Sequence, residues 1–207
     1  MNPLTLTPPY LLFIGDVTDP LAAKTANGIA RWKPEWCLGQ WRESGSPVDL
    51  GLPDLGPAEA WERGARTLVL GVANPGGVLP PHWRDHLRTA LETGFDIANG
   101  LHHRLEHDAE LAACASALGR RLIDVRHPRG TCPVGNGAPR SGRRMLTVGT
   151  DCSSGKMFTT LAMHREMERR GLAADFVATG QTGIFISGSG VSVDAVVADF
   201  ISGAVEA

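Results

Sequence analysis

The sequence predicts an α/β protein: a Rossmann-like parallel-sheet domain followed by a P-loop NTPase-like α/β domain. Three observations carry this. Short apolar runs alternate with helical patterns up to about residue 126. A stretch dense in Gly and Pro, "HPRGTCPVGNGAPRSG" at 127–142, then breaks the pattern. Beyond it, "VGTDCSSGKMFTT" at 148–160 sets a glycine-bearing loop between an apolar run and an amphipathic helix.

In order along the chain, "YLLFIGD" is an apolar strand ending in Gly15-Asp16, and "PLAAKTANGIARW" behind it reads as a helix. "RTLVLGVA" is a strand closed by the turn "NPGG". "PPHWRDHLRTALETG" is a helix, with proline tolerated at its start and Gly94 at the C-terminal cap position. "FDIANG" is a strand, "HHRLEHDAELAACASALG" a helix closed by Gly119, and "RRLIDVR" a strand. This order divides the chain into an N-terminal domain at 1–130, a linker at 131–142 and a second domain at 143–207. There, strand "RRMLTVGT", the loop, helix "KMFTTLAMHREMERRG", strand "ADFVATG", loop "QTGIFISGSG" and helix "SVDAVVADFISGAVEA" follow in turn. A P-loop sheet needs more strands than this, so the second domain is expected to be incomplete here, finished by further chain or by another chain. Open sheet edges favour association, and a homo-oligomer is expected.

Composition narrows the function. Of 207 residues, 43% are hydrophobic and 20% charged, as in soluble globular proteins. A net charge of −2 leaves no broad basic field for a nucleic acid backbone. The apolar runs fall far short of the ~20 residues a membrane helix needs. Cys37, Cys114, Cys132 and Cys152 form no C-x-x-C pair, and the N-terminus lacks a secretion signal, so a cytoplasmic location is expected.

The loop is the strongest functional signal. Gly149 and Gly155 give the backbone freedom to wrap a phosphate, Lys156 adds an ammonium, and the helix behind points its positive end at the same place. Two features depart from the usual pattern: five residues rather than four separate the glycines, and Met157 stands where a magnesium-binding Ser or Thr belongs. Thr159 and Thr160 are the next hydroxyls. The loop "GTDCSSGK" resembles the variant loop of dethiobiotin synthetases. The residues expected to bind the cofactor are Gly149, Thr150, Asp151, Cys152, Ser153, Ser154, Gly155, Lys156 and Met157.

The loop together with "DFVATGQTGIFISGSGVSVDAVVADFISGA", "DPLAAKTANGIARW" and "GVANPGGVLPPHWRDHLRTALETGFDIANGLH" resembles a family of two-domain bacterial and archaeal proteins catalogued as a domain of unknown function. Members have a Rossmann-like N-terminal and a P-loop C-terminal half, and they continue past the point where this chain ends. The resemblance implies N-acetylation of D-amino acids, D-glutamate in particular, with acetyl-CoA as donor. Coenzyme A carries a diphosphate that such a loop can hold, and acetyl transfer needs no magnesium. The alternatives are an ATP- and magnesium-dependent ligase or kinase, as in dethiobiotin synthetase, and a non-catalytic nucleotide-binding module.

Substrate-binding candidates stand beyond strand ends, where open parallel sheets take their ligands. They are Asp16, Lys24 and the turn residues Asn74, Gly76 and Gly77, with Gln181, Thr182 and Gly183 in the second domain. The ligand expected there is a small amino acid. Asp194 reads as the first-turn acid of a helix capped by Ser192, with a catalytic or metal role for it or Asp199 as the alternative. His82 and His86, like His103 and His107, are four apart and can share a helix face. No third ligand accompanies them, so no metal is expected. Trp32, Trp36 and Trp41 read as core or interface cover. No catalytic residue is assigned.

Overall fold

β1 (Tyr10–Gly15) is apolar for nearly its whole length and buried at every position. A strand like this must be covered on both faces, as parallel sheets are. Its neighbours are β2 (Cys37–Arg42), β3 (Thr67–Leu70), β4 (Asp96–Asn99) and β5 (Leu122–Asp124). All pairings are parallel, in the order β2-β1-β3-β4-β5, with Leu12 opposite Gln40 on one side and Val69 on the other. The computed structural model describes residues 6–127, 130–151 and 153–206.

The chain reverses its direction across the sheet at β1. Helix α1 (Lys24–Trp32) carries it one way, to β2. Helices α2 (Pro57–Glu62), α3 (Trp83–Thr93) and α4 (Ala109–Ala117) carry it back across to β3, β4 and β5. Right-handed crossovers therefore put α1 on one face and α2–α4 on the other, where α2 meets α3 and α3 meets α4. One helix cannot cover a face of five strands. The second half of the chain completes it: α5 (Lys156–Arg169) and α6 (Gln181–Ser187) follow the loop, and α6 lies along α1. Ile184, Phe185 and Ile186 of α6 and Leu161 of α5 share one core with the strands. Phe185 is fully buried over Gly100, just beyond β4, where a Cβ would stand 3.1 Å from its ring.

Polar groups tie the same layers. Asp124 at the end of β5 is buried and accepts hydrogen bonds from Asn99 Nδ2 (2.6 Å) and the backbone N–H groups of Leu105 (3.0 Å) and Glu106 (3.1 Å). Buried Arg126 donates to the Gly100 carbonyl (2.9 Å) and pairs with Asp194. The linker is held to α7 (Ile201–Glu206): Glu206 accepts from the N–H groups of Asn136 (2.9 Å) and Gly137 (3.0 Å).

Several sequence expectations are corrected. "RRMLTVGT" and "ADFVATG" form no strand; Met145, Leu146, Val148 and Val177 are exposed, and Ala178–Gly190 is an isolated bridge. A strand exists only through a hydrogen-bonding neighbour, and the described residues supply none there. The last helix breaks into two 3-10 turns, Val193–Ala195 and Ala198–Phe200, before α7, and the Asp194 carboxylate goes to Arg126. Helix α4 begins at Ala109 rather than near His102. Asp108 caps it by accepting from Leu111 N–H (3.2 Å), so His103 and His107 share no helix face. Strand β2 and helix α2 are absent from the sequence reading. "CLGQWR" lacks a β-branched run, and its Gly39 is required because a Cβ there would meet Leu55 at 2.6 Å. The tryptophans do cover core: Trp36 packs edge-on against Tyr10, Trp41 against Phe13 and Trp32 against Phe158.

Asp108 also accepts from Arg84 Nε (2.7 Å). Burial pushes its carboxyl upward, but the bonds from Arg84 and Leu111 outweigh this and hold it below the usual carboxylate range. A depressed carboxylate stabilises the fold fully above its unfolded pKa, about 3.9, and less as pH falls through the folded value. Asp108→Ala is expected to cost about 1–2 kcal/mol at neutral pH. In urea titrations the deficit should shrink below about pH 4; a deficit that persists unchanged in acid contradicts this account.

Candidate functional site

The loop that follows residue 148 curls tightly before α5. Ser153 and Gly155 both adopt left-handed backbone (φ +56° and +92°), and Gly155 is the N-cap of α5. Among the described residues no side chain caps the first turn of α5, whose N–H groups point to its open end. Gly149 packs closely under Ser154 and Lys156: a Cβ there would stand 2.7 Å from Ser154 Oγ and push that side chain aside. Lys156 opens the helix and bends back, donating to the Asp151 carbonyl with Ser154 Oγ 3.4 Å away; Ser154 donates to the same carbonyl (3.0 Å). Thr150 is exposed beside them, and Cys152 lies outside the described residues. Such a loop has the makings of an anion cradle: backbone N–H groups, a helix dipole and an ammonium resting on a loop carbonyl that a bound anion would replace.

Met157 has a packing role. It is half-buried against the core, and a Cβ on Gly28 of α1 would stand 3.8 Å from its terminal methyl. The face of α5 that brings in Met157, Leu161 and His164 is its inward face. The nearby hydroxyl of Thr160 is committed to Thr147 Oγ1 (2.7 Å) and the Lys156 carbonyl (3.0 Å). Thr159 is exposed on the outer side of the helix.

The fold brings some of the sequence candidates to this loop and others elsewhere. Lys24, the first residue of α1, donates to Ser153 Oγ (3.2 Å) and so joins the cradle. Thr182, at the start of α6, shares a hydrogen bond with Thr25 (3.2 Å), and Gln181 lies against Gly100. The amino ends of α1, α5 and α6 thereby meet. Thr25 is a contact the sequence reading missed, although it adjoins Lys24. Gly183 is buried, and a Cβ there would clash with Ala178 at 2.7 Å. The turn of Asn74, Gly76 and Gly77 folds on itself: Asn74 Nδ2 donates to the Val78 carbonyl (2.8 Å), and Gly77 (φ +59°) lies under His102.

Asp16 takes its partners at the start of α3. Its Oδ1 accepts from the Trp83 indole N–H (3.0 Å), and its Oδ2 lies 3.2 Å from His82 Nε2. Partial burial pushes this carboxyl up, but the bonds to His82 and Trp83 outweigh it and hold it below the usual range. A groove of about 660 Å³ runs along the α1–α5 seam, lined by Trp32, Trp36, Leu161, His164 and Phe176, and Arg165 stacks over Trp32 at 4.5 Å. Cys37 is no nucleophile: burial and then Glu35 push its thiol to about 12.

Comparison with known proteins places this arrangement. Residues 39–128 match a Rossmann-like domain described as a domain of unknown function, DUF1611_N, and residues 133–207 match the DUF1611_C P-loop domain. A Tritonibacter scottomollicae protein named D-glutamate N-acetyltransferase is 52% identical over 198 residues, covering 96% of this chain and 60% of the relative. A Pseudoalteromonas protein of the same name is 47% identical over 203 residues, covering 98% of this chain and 61% of the relative. The crystal structure of a DUF1611 family protein from Anabaena variabilis superposes with a TM-score of 0.81 at 33% identity, over 96% of this chain and 60% of that one. The chain therefore spans about three fifths of the length of these relatives. No helix among the described residues is long and apolar enough to cross a membrane.

The close approach of α6 to α1 is testable at Gly28, where a Cβ would stand 2.7 Å from Thr182 Cγ2. Gly→Ala inside a helix usually adds up to about 1 kcal/mol. Here Gly28→Ala is expected to destabilise by about 1–3 kcal/mol through overpacking. Thr182→Ser, which removes the offending methyl and keeps the hydroxyl, should restore most of that loss in the double variant. Independent, additive effects in thermal unfolding would refute the contact.

Proposed function

The chain belongs to the DUF1611 family, carrying its Rossmann-like and P-loop domains, and on that premise we propose that it transfers the acetyl group of acetyl-CoA to the amino group of D-glutamate or a similar D-amino acid. The observation that carries this reading is the cradle formed by Lys156, the amino end of α5 and Lys24. Its donors suit the diphosphate of coenzyme A. The names of the two relatives, at about half identity, supply the reaction class.

The chemistry agrees with the residues present. Acyl transfer joins the lone pair of a neutral amine to the thioester carbonyl carbon; the C–S bond breaks and its electron pair leaves with the thiolate, while the amine proton passes to a base. No metal is required. Met157 packs against α1 at the position where a magnesium-binding hydroxyl normally stands, and the nearby Thr160 hydroxyl is already bonded. This favours coenzyme A over ATP with magnesium. On this reading the protein works in the cytoplasm, where the thioester and free amino acids are found. Exposed Met145, Leu146 and Val148 give it apolar surface for self-association, and a strictly monomeric mass by light scattering would count against that part.

Calorimetric titration of the 207-residue chain tests the reading. Acetyl-CoA is expected to bind, and Lys156→Ala to weaken binding about 10- to 100-fold, the worth of one charge-assisted bond. With D-glutamate added, free thiol should appear faster than with L-glutamate. Binding of ATP with magnesium but not of acetyl-CoA would overturn the proposal.

A further inference from the structure

Outside the phosphate cradle, one side-chain cluster has a chemistry of its own. It lies beyond the carboxyl ends of β1 and β2. Asp16 follows β1, Glu43 follows β2, and His82 stands at the N-cap of α3 with His86 one turn on. One ligand atom each from Asp16, Glu43 and His82 falls within 4.8 Å of the others. His82 Nε2 is 3.2 Å from Asp16 Oδ2, and His86 Nε2 is 3.6 Å from Glu43 Oε1.

The backbone and core hold these groups in place. The Glu43 N–H donates to the Gly15 carbonyl (2.9 Å), which fixes the two strand ends together. Gly15 (φ +54°) is glycine because a Cβ would stand 2.6 Å from the Trp83 indole. That close approach lets the indole N–H take Asp16 Oδ1 and turn Oδ2 toward the cluster. The His86 ring packs against Phe13 (5.7 Å) and Trp41 (5.2 Å).

The hydrogen-bond pattern within the cluster is unfinished. Among the described residues, Glu43 Oε1 is shielded from solvent and accepts no hydrogen bond. His86 Nδ1 lies 3.3 Å from the His82 carbonyl, a contact it can make only as an N–H donor. Its other nitrogen, Nε2, faces the Glu43 oxygen at 3.6 Å. The Glu43 oxygen thus stands without a close donor, beside a second carboxylate and a second imidazole. A dication among Asp16, Glu43 and His82 satisfies that oxygen: the two carboxylates balance its charge and the His82 imidazole adds to its shell.

We infer that Asp16, Glu43 and His82, with His86 beside Glu43, form a binding site for a divalent transition-metal cation of the zinc type. Mixed imidazole and carboxylate donors select zinc over magnesium or calcium, which take oxygen alone. The His82–Asp16 separation suits neighbouring ligands on one tetrahedral ion, about 3.3 Å apart for bonds of about 2.0–2.1 Å. Asp16 and His82 are half-exposed, so a solvent-side position stays open to water or a carboxylate. The site revises the sequence expectation of no metal: the missing third ligand is Glu43, delivered by β2. It is independent of the acetyl-transfer reading, since none of its ligands belongs to the phosphate cradle.

The test titrates zinc ions into chelator-treated protein, competing against a chromogenic chelator. One equivalent per chain is expected to bind. Asp16→Asn, Glu43→Gln and His82→Ala should each weaken it about tenfold or more, while a His103→Ala, His107→Ala double variant should not. Cobalt(II) in place of zinc should show visible bands that all three ligand variants alter. Asp16 and His82 are exposed enough to be replaced without disturbing the core, so they decide the matter if Glu43→Gln misfolds. The absence of stoichiometric binding would overturn the site. So would binding that survives the Asp16 and His82 substitutions, as zinc held by cysteines would.

Discussion

The requirement that a fully buried parallel sheet be covered on both faces governs this molecule. β1 and β3 are buried at every position and β4 at three of its four, and burying one such Leu, Ile or Phe is worth about 1.5–3 kcal/mol. The chain's own crossovers put three helices on one face and only α1 on the other. Residues from beyond the linker make up the difference, with Phe185 seated over Gly100 and Leu161 in the same core. The covering is tight because small residues line it: Gly28 on α1, Gly100 after β4 and Gly183 within α6.

That packing also determines where the chemistry can be. Laying α6 and α5 on α1 draws the amino ends of three helices together, so Lys24 reaches Ser153 and Thr25 reaches Thr182. A phosphate-loop sequence usually works from a central strand of its own sheet. Here, among the described residues, the segment before the loop lies unpaired, and the loop is positioned from behind by α5 packing on the first sheet. Met157 belongs to that packing. A Ser or Thr there would free a hydroxyl but give up an apolar contact to α1.

The carboxyl edge of the first sheet carries a second, separate arrangement. Asp16 is turned by Trp83 toward His82 and Glu43. Two residues eight apart in sequence, at the end of one strand and the start of the next helix, thus take different partners. The cause is the glycine before Asp16, which admits a tryptophan ring where any side chain would exclude it.

By itself the sequence determined the parallel α/β class, four of the five strands of the first sheet, the phosphate loop and the family. Each is written in local signals: apolar runs, helix caps and a glycine-lysine spacing that survive without any tertiary contact. Tertiary structure alone decided the rest. It made β2 a strand despite "CLGQWR", because Leu55 and Pro53 close on Gly39 and Gln40 finds Asp49 and Leu52. It left "RRMLTVGT" and "ADFVATG" out of any sheet, because a strand is defined by a neighbour that propensity cannot provide. It gave Asp194 to Arg126 and Glu43 to the histidines, because charged side chains settle on partners many residues away, and only folding sets those distances.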